Sequence, residues 1–118
     1  MPEGPECRRM ALQISEEVSN KNLIDIVVES GRYTKKPIEG LEEILKEAPL
    51  KVRGAGVHGK FIFFLLDNEW SIWNTLGMTG GWSRQKAKHA RVRLVLEDGP
   101  IFFNDTRNFG TIKFVRGK

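Results

Sequence analysis

From Lys51 onward the chain is a succession of short runs rich in β-branched, aromatic and aliphatic residues, broken by turn formers. This spacing constrains the fold more than any other feature. The runs are Lys51–Val57, Lys60–Leu66, Ser71–Leu76, Arg91–Leu96, Ile101–Phe103 and Thr111–Val115. "LDNEW" and "LEDGP" each carry Asp with Asn or Gly and read as hairpin turns. Many short strands with close turns predict an antiparallel sandwich or barrel.

Ahead of the strands the periodicity is helical. Cys7, Met10, Ala11, Ile14 and Val18 recur at steps of three and four and predict a helix over about Pro5–Asn20 with one apolar stripe. Pro5 suits a first helical turn, where its missing N–H costs nothing. "LIDIVVE", Leu23 to Glu29, reads as a strand, and Gly31 to Pro37 as a basic loop. Leu41, Ile44, Leu45 and Ala48 predict a second, short helix ending before Pro49. The fold class is therefore α+β and mostly β: an antiparallel β-sandwich flanked by two α-helices. At 118 residues the chain fits one domain with one real core.

Nineteen Lys plus Arg against 15 Asp plus Glu leave a net charge of +4, which permits an anionic partner without demanding one. Cys7 is the one cysteine, so no disulfide forms within the chain and no Cys-based zinc site is possible. His58 and His89, the two histidines, are too few for a convincing metal cluster. No apolar run approaches ~18 residues, so no membrane-spanning helix is expected. The start carries Glu3, Glu6, Arg8 and Arg9 and lacks the apolar core of a signal peptide. A reducing, intracellular compartment is the simplest expectation.

Four stretches carry possible chemistry. The first is "MPEGPE". Removal of Met1 would expose Pro2 as a secondary amine, and an α-amino group titrates near ~7.7–8.0, so a good share is neutral at physiological pH. A neutral amine can attack an electrophilic carbon and form an iminium. Glu3 would lie within reach of the same centre to move protons, and Glu6 lies one helical turn on. With Met1 attached, the Pro2 nitrogen is an amide and cannot attack. The plain alternative is capping, because proline and acidic residues both favour a first helical turn.

The second stretch is "VHGKFIFFLL", where Lys60 follows Gly59 at the start of an apolar strand. It is either a snorkelling surface residue or a group placed for phosphate contact or proton transfer. In "NTLGMTGGW", Met78 sits in a tight glycine loop, either covering the sandwich edge or acting as a soft wedge that enters a base stack. In "FFNDTRNFG", Arg107 and Phe109 share a loop and suit base stacking and phosphate contact, unless Asp105 simply tethers the arginine.

"PEGPE", "GK" near position 60, "LGMTG", "KHARV" and "DTRNFG", in this order, resemble the formamidopyrimidine-DNA glycosylase/endonuclease VIII family of base-excision repair enzymes. The resemblance spans essentially the whole chain as that family's N-terminal catalytic domain, residues 1–118. It implies a bifunctional DNA glycosylase and abasic-site lyase that removes oxidised bases. Pro2 would be the nucleophile at C1′ and Glu3 the acid/base near the sugar. Glu6 would be a further acidic residue of the site, and Lys60 a phosphate contact that aids catalysis. Met78, Arg107 and Phe109 would fill the gap left by the flipped base, and His89 would contact DNA. Damaged double-stranded DNA is the implied partner, with the chain a monomer near the nucleoid and no cofactor in this chain.

The family's helix-two-turn-helix domain and its finger, with its zinc, are expected to be absent from a chain that stops at "KFVRGK". Gly4, in place of a bulky apolar residue, looks more like the endonuclease VIII branch and suggests oxidised pyrimidines. Three other readings are a truncated, non-catalytic DNA-binding module, a tautomerase using an N-terminal proline as base, and a plain interaction sandwich. The tautomerase fits poorly, because there proline begins a strand, whereas "PEGPE" leads into a helix.

Overall fold

The computed structural model describes residues 4–58, 61–77, 80–107 and 110–117, with side chains from residue 8 onward. Helix α1 (Gly4–Val18) is followed by β1 (Asn22–Val28), a 3-10 turn at Arg32–Thr34 and helix α2 (Leu41–Glu47). Then come β2 (Leu50–His58), β3 (Phe61–Leu66), β4 (Trp70–Thr75), β5 (Gly80–Ser83), β6 (Ala90–Leu96), β7 (Gly99–Asp105) and β8 (Thr111–Arg116). Every strand pairing is antiparallel.

The strand order is β5-β7-β6-β1-β2-β3-β4-β8. Among the described residues its two halves are linked in the strand ladder by the short β1–β2 pairing at Asn22–Lys51 and Leu23–Leu50. That narrow junction lets the sheet fold over on itself. Trp82 of β5 meets Phe64 of β3 edge-on, with ring centroids 5.3 Å apart, and its Nε1–H donates to Asn74 Oδ1 of β4 at 2.9 Å. Strands from opposite ends of the order are thus face to face across one core. The result is the expected sandwich. It is not a closed barrel, because β5 and β8 do not pair with each other among the described residues.

Alternation builds the core. On β3, Ile62, Phe64 and Leu66 point inward, and on β6 so do Val92, Leu94 and Leu96. Ala11, Ile14 and Val18 bury the stripe of α1, as their spacing predicts, while Leu12 is 64% exposed. The helix stops at Val18, two residues earlier than its periodicity suggests, because Asn20 turns to φ 66° and donates its N–H to Val52 O of β2. At the outer edge of β8, the Tyr33 hydroxyl bonds both the N–H and the C=O of Ile112, and Phe114 N–H donates to Glu39 O. The basic loop therefore covers an edge that would otherwise be open to pairing.

The hairpin turns hold with two adjustments. "LDNEW" contains a 3-10 turn at Asp67–Glu69 with Asn68 at φ 61°. "LEDGP" leaves Glu97 and Asp98 as the two-residue loop between paired Leu96 and Gly99. Strand β5 is an addition, since "GGWS" is too short and glycine-rich to show a strand pattern.

Candidate functional site

Two rows of strand ends form one rim of the sandwich. In one half, His58 pairs with Phe61, Phe61 with Thr75, and Thr75 with Thr111. In the other, Gly80 pairs with Asp105, whose N–H donates to His89 O at 3.0 Å. The rows are joined by Asp105, 1% exposed, whose Oδ2 accepts the N–H of Gly110 at 2.7 Å. Consequently the connections across 59–60, 76–79 and 106–110 all leave from this rim.

Helix α1 runs towards the same rim. Its C-terminal half is held at the opposite end, where Arg84 donates to Glu17 Oε1 at 2.9 Å and to Gly99 O and Pro100 O at 3.1 Å. Midway, Ser15 Oγ accepts the Ala55 N–H of β2 at 3.3 Å, and the Met10 methyl lies beside Gly81. From Ser15 back to Gly4 the helix rises about 16 Å. From Ala55 to His58 strand β2 advances about 10 Å in the same direction. The backbone of α1 therefore runs towards the rim and reaches past the end of β2 at its first turn.

The rim is locked by close packing and buried polar bonds. A Cβ on Gly110 would lie 2.6 Å from Thr75 O and 2.7 Å from Phe103 Cζ, so only glycine lets the chain pass between β4 and β7. Gly80 is equally confined against the Leu76 backbone, and its N–H donates to Leu76 O at 2.8 Å, closing the 76–80 turn. Arg91 donates to Asp105 O at 2.8 Å, Thr106 O at 3.2 Å and Ser30 Oγ at 3.2 Å, fixing the base of the arginine loop. Asn74, fully buried, donates to Thr75 O and Thr111 O while accepting from Trp82. Thr75 and Thr111 join their hydroxyls at 2.7 Å.

Of the residues singled out from the sequence, His89 is half-buried and Arg107 exposed, both at the rim. Pro2, Glu3, Lys60, Met78 and Phe109 lie outside the described residues, as does the Glu6 side chain. Each falls on a connection that begins or ends at the rim, or in the first turn of α1 and the segment before it. Sequence reasoning missed Arg91, Asn74 and the bonding of Asp105 to Gly110. Each binds backbone groups supplied by distant strands, a relation with no local signature. The one available signal was "RNFG", where glycine before a strand marks a close approach.

Among the described residues, no three His, Cys, Asp or Glu are grouped to hold a metal, and no helix is long and apolar enough to cross a membrane. At the far end of the sandwich, Asp98 is held below the usual carboxylate range by the hydrogen bond from Lys21 and by Arg84. Burial opposes the charge on Arg84, but bonds to Glu17 and Asp98 outweigh it and raise its pKa.

An antiparallel β-sandwich flanked by two helices, with one rim pinned by Gly80 and Gly110, is the class of domain the fold defines. The family model for the formamidopyrimidine-DNA glycosylase N-terminal domain matches residues 1–112, and this chain belongs to that family. The formamidopyrimidine-DNA glycosylase of Desulfitobacterium hafniense (strain Y51) is 32% identical over 124 residues, covering 98% of this chain and 44% of that protein. That of Thermus thermophilus is 31% identical over 103 residues, covering 75% and 39%. The crystal structure of the MutM (Fpg) protein from Thermus thermophilus superposes with a TM-score of 0.84 at 28% identity, covering 98% of this chain and 41% of the other. A Lactococcus lactis Fpg solved with abasic-site DNA shares the fold with a TM-score of 0.81 at 22% identity. The chain thus spans less than half the length of these relatives.

Proposed function

We propose that this domain carries the catalytic end of a bifunctional DNA glycosylase and abasic-site lyase of base-excision repair. The observation that carries the reading is that the strand ends flanking three connections share one rim, towards which the backbone of α1 runs, while the sequence sets Pro2 just before that helix and Lys60, Met78, Arg107 and Phe109 in those connections. Family membership supports the same reading.

After loss of Met1, the Pro2 nitrogen attacks C1′ of the damaged nucleotide and the bond to the base breaks, the base leaving with a proton. Opening of the sugar ring gives an iminium, and Glu3 manages the proton at the ring oxygen. Loss of a C2′ proton then expels the 3′ phosphate and nicks the strand. Lys60 holds a flanking phosphate. Met78, Arg107 and Phe109 occupy the space of the extruded nucleotide, offsetting an unstacking cost of a few kcal/mol. His89 adds a contact to the DNA, and phosphate neutralisation makes affinity fall with salt.

The leaning towards oxidised pyrimidines, drawn from Gly4, gains no support from the curated relatives named above, which carry the formamidopyrimidine name. A panel of formamidopyrimidine and oxidised-pyrimidine duplexes decides between them.

Borohydride trapping tests the chemistry. Processed protein incubated with abasic-site DNA should give a covalent adduct that is lost in Pro2→Ala. Glu3→Gln should retain folding and DNA binding while slowing base release. Salt-sensitive binding with no adduct would make the domain a DNA-binding module, and no DNA binding at low salt would end both readings.

A further inference from the structure

On the outer face of β2-β3-β4-β8, cross-strand register sets out a lattice of side chains. Its first row is His58, Phe61, Thr75 and Thr111, and its second Gly56, Phe63, Trp73 and Lys113. The third row contains Leu65, Ser71 and Val115. Phe61, Phe63 and Leu65 are the outward residues of β3, where a solvated sheet face ordinarily carries polar ones. Leu65 is 49% exposed, and Phe61, Phe63 and Trp73 are partly so.

These side chains pack on one another. Phe61 and Trp73 stack at 5.1 Å with 27° between their planes, and His58 tilts onto Phe61 at 5.5 Å. Trp73 Nε1–H donates to Ser71 Oγ at 2.9 Å, which fixes the indole. The Phe63 ring lies over Gly56, so closely that a Cβ there would meet its Cζ at 2.7 Å.

The stacked pair separates two cavities. One, about 840 Å³, is apolar and runs over Phe63 and Leu65 to Trp70, with Glu69 at its edge. Among the described residues the buried Trp70 Nε1–H has no partner. The other, about 520 Å³, is walled by Arg32, Lys36 and Lys113, with Glu39 the one acid among the described residues. Lys36 and Lys113 are exposed, and neither has an ion-pair partner among the described residues. A flat apolar surface beside a cluster of cations is complementary to a ligand with an aromatic ring joined to an anion.

We propose that this outer face, which borders the rim along the row His58–Thr111, is a nucleotide site in which a base stacks on the Phe63–Trp73 surface and its phosphate lies against Lys36 and Lys113. The polarity follows from charge. Glu69 repels a phosphate from the apolar cavity, whereas Lys36 and Lys113 against Glu39 attract one to the other. Pre-stacked rings lose little freedom when a base is added. The shared chemistry fits a free nucleotide or a nucleotide within a single strand. It does not depend on the chemistry at Pro2.

Anisotropy of fluorescein-labelled oligothymidylate (dT8) at low salt tests the site, with dTMP as competitor. Trp73→Leu should weaken dT8 binding about tenfold, the range of one lost stacking contact. The double variant Lys36→Glu/Lys113→Glu should weaken it at least as much and flatten its salt dependence. Displacement by millimolar dTMP assigns the site to free nucleotides, and its failure with dT8 still bound assigns it to a strand. The lysine double variant should keep the wild-type Tm, and both variants, measured well below their Tm, should keep the borohydride adduct with abasic-site DNA. Pro2→Ala should lose the adduct and keep dT8 binding, so failure of either reading is visible alone. Absence of dT8 binding, or binding indifferent to both variants, overturns the proposal.

Discussion

Gly110→Ala offers a direct trial of the idea that the rim is fixed by close backbone approach. An alanine Cβ would stand 2.6 Å from Thr75 O, 2.7 Å from Phe103 Cζ and 3.0 Å from Asp105 Oδ2, against 3.4–4 Å for ordinary contact. Relief therefore needs a displacement of about 0.8 Å, the gap between 2.6 Å and the lower end of that range. Thr75 cannot supply it cheaply, because β3 and β8 pair with it from both sides. The movement falls on residue 110, and with it the bond from Gly110 N–H to the buried Asp105 carboxylate lengthens. Overpacking costs about 1–3 kcal/mol, and weakening a bond to a buried charge adds on the order of 1 kcal/mol. At about 4 °C per kcal/mol for a chain of this size, Tm should fall by roughly 8–16 °C. Differential scanning calorimetry reads that directly. Borohydride trapping, measured well below the new Tm, should drop further, because the loop bearing Arg107 and Phe109 moves with Gly110. A Tm within about 2 °C of wild type would be half the loss of a single kcal/mol and would refute the close-approach account.

Asn74→Ala removes the buried acceptor of the Trp82 N–H and the amide that donates to the part-buried Thr75 and Thr111 carbonyls. Urea denaturation should show a loss of about 2–4 kcal/mol, and a loss below about 1 kcal/mol would deny the network its structural role. Asp98 is held ionised by Lys21 and Arg84, so its folded pKa lies below its unfolded one. Its contribution is present above the unfolded value near ~3.9 and fades as pH falls through the folded pKa. Wild type should therefore exceed Asp98→Asn in Tm at about pH 6–7, an interval well above ~3.9, and the two should converge as pH drops below about 3. A Tm gap that persists at the acid end would contradict the linkage.

Much of the fold was legible because it follows local rules. The stripe of Ala11, Ile14 and Val18 produced α1, and the short apolar and β-branched runs "FIFFLL" and "ARVRLVL" produced β3 and β6. Strand β5 was not legible, because it opens on two glycines and its one large side chain, Trp82, owes its burial to Phe64 and Phe103 from other strands. The candidate site was legible as motifs. That α1 aims its first turn at the rim was not, since this depends on Arg84 gripping Glu17 at one end and Ser15 accepting from Ala55 midway.

Sequence alone determined the class of fold, the amphipathic start and the list of residues able to do chemistry, because periodicity, turn chemistry and side-chain type are local properties. Tertiary structure decided which strand ends share a rim, why residue 110 must be glycine, and how the buried Asn74 and Asp105 are satisfied. It also decided that the apolar side of β3 faces outward beside Lys36 and Lys113. The physical reason is the same in each case: packing distance and the pairing of buried polar groups are set between segments far apart in the chain, and the uniformly apolar run of β3 does not say which of its faces is covered.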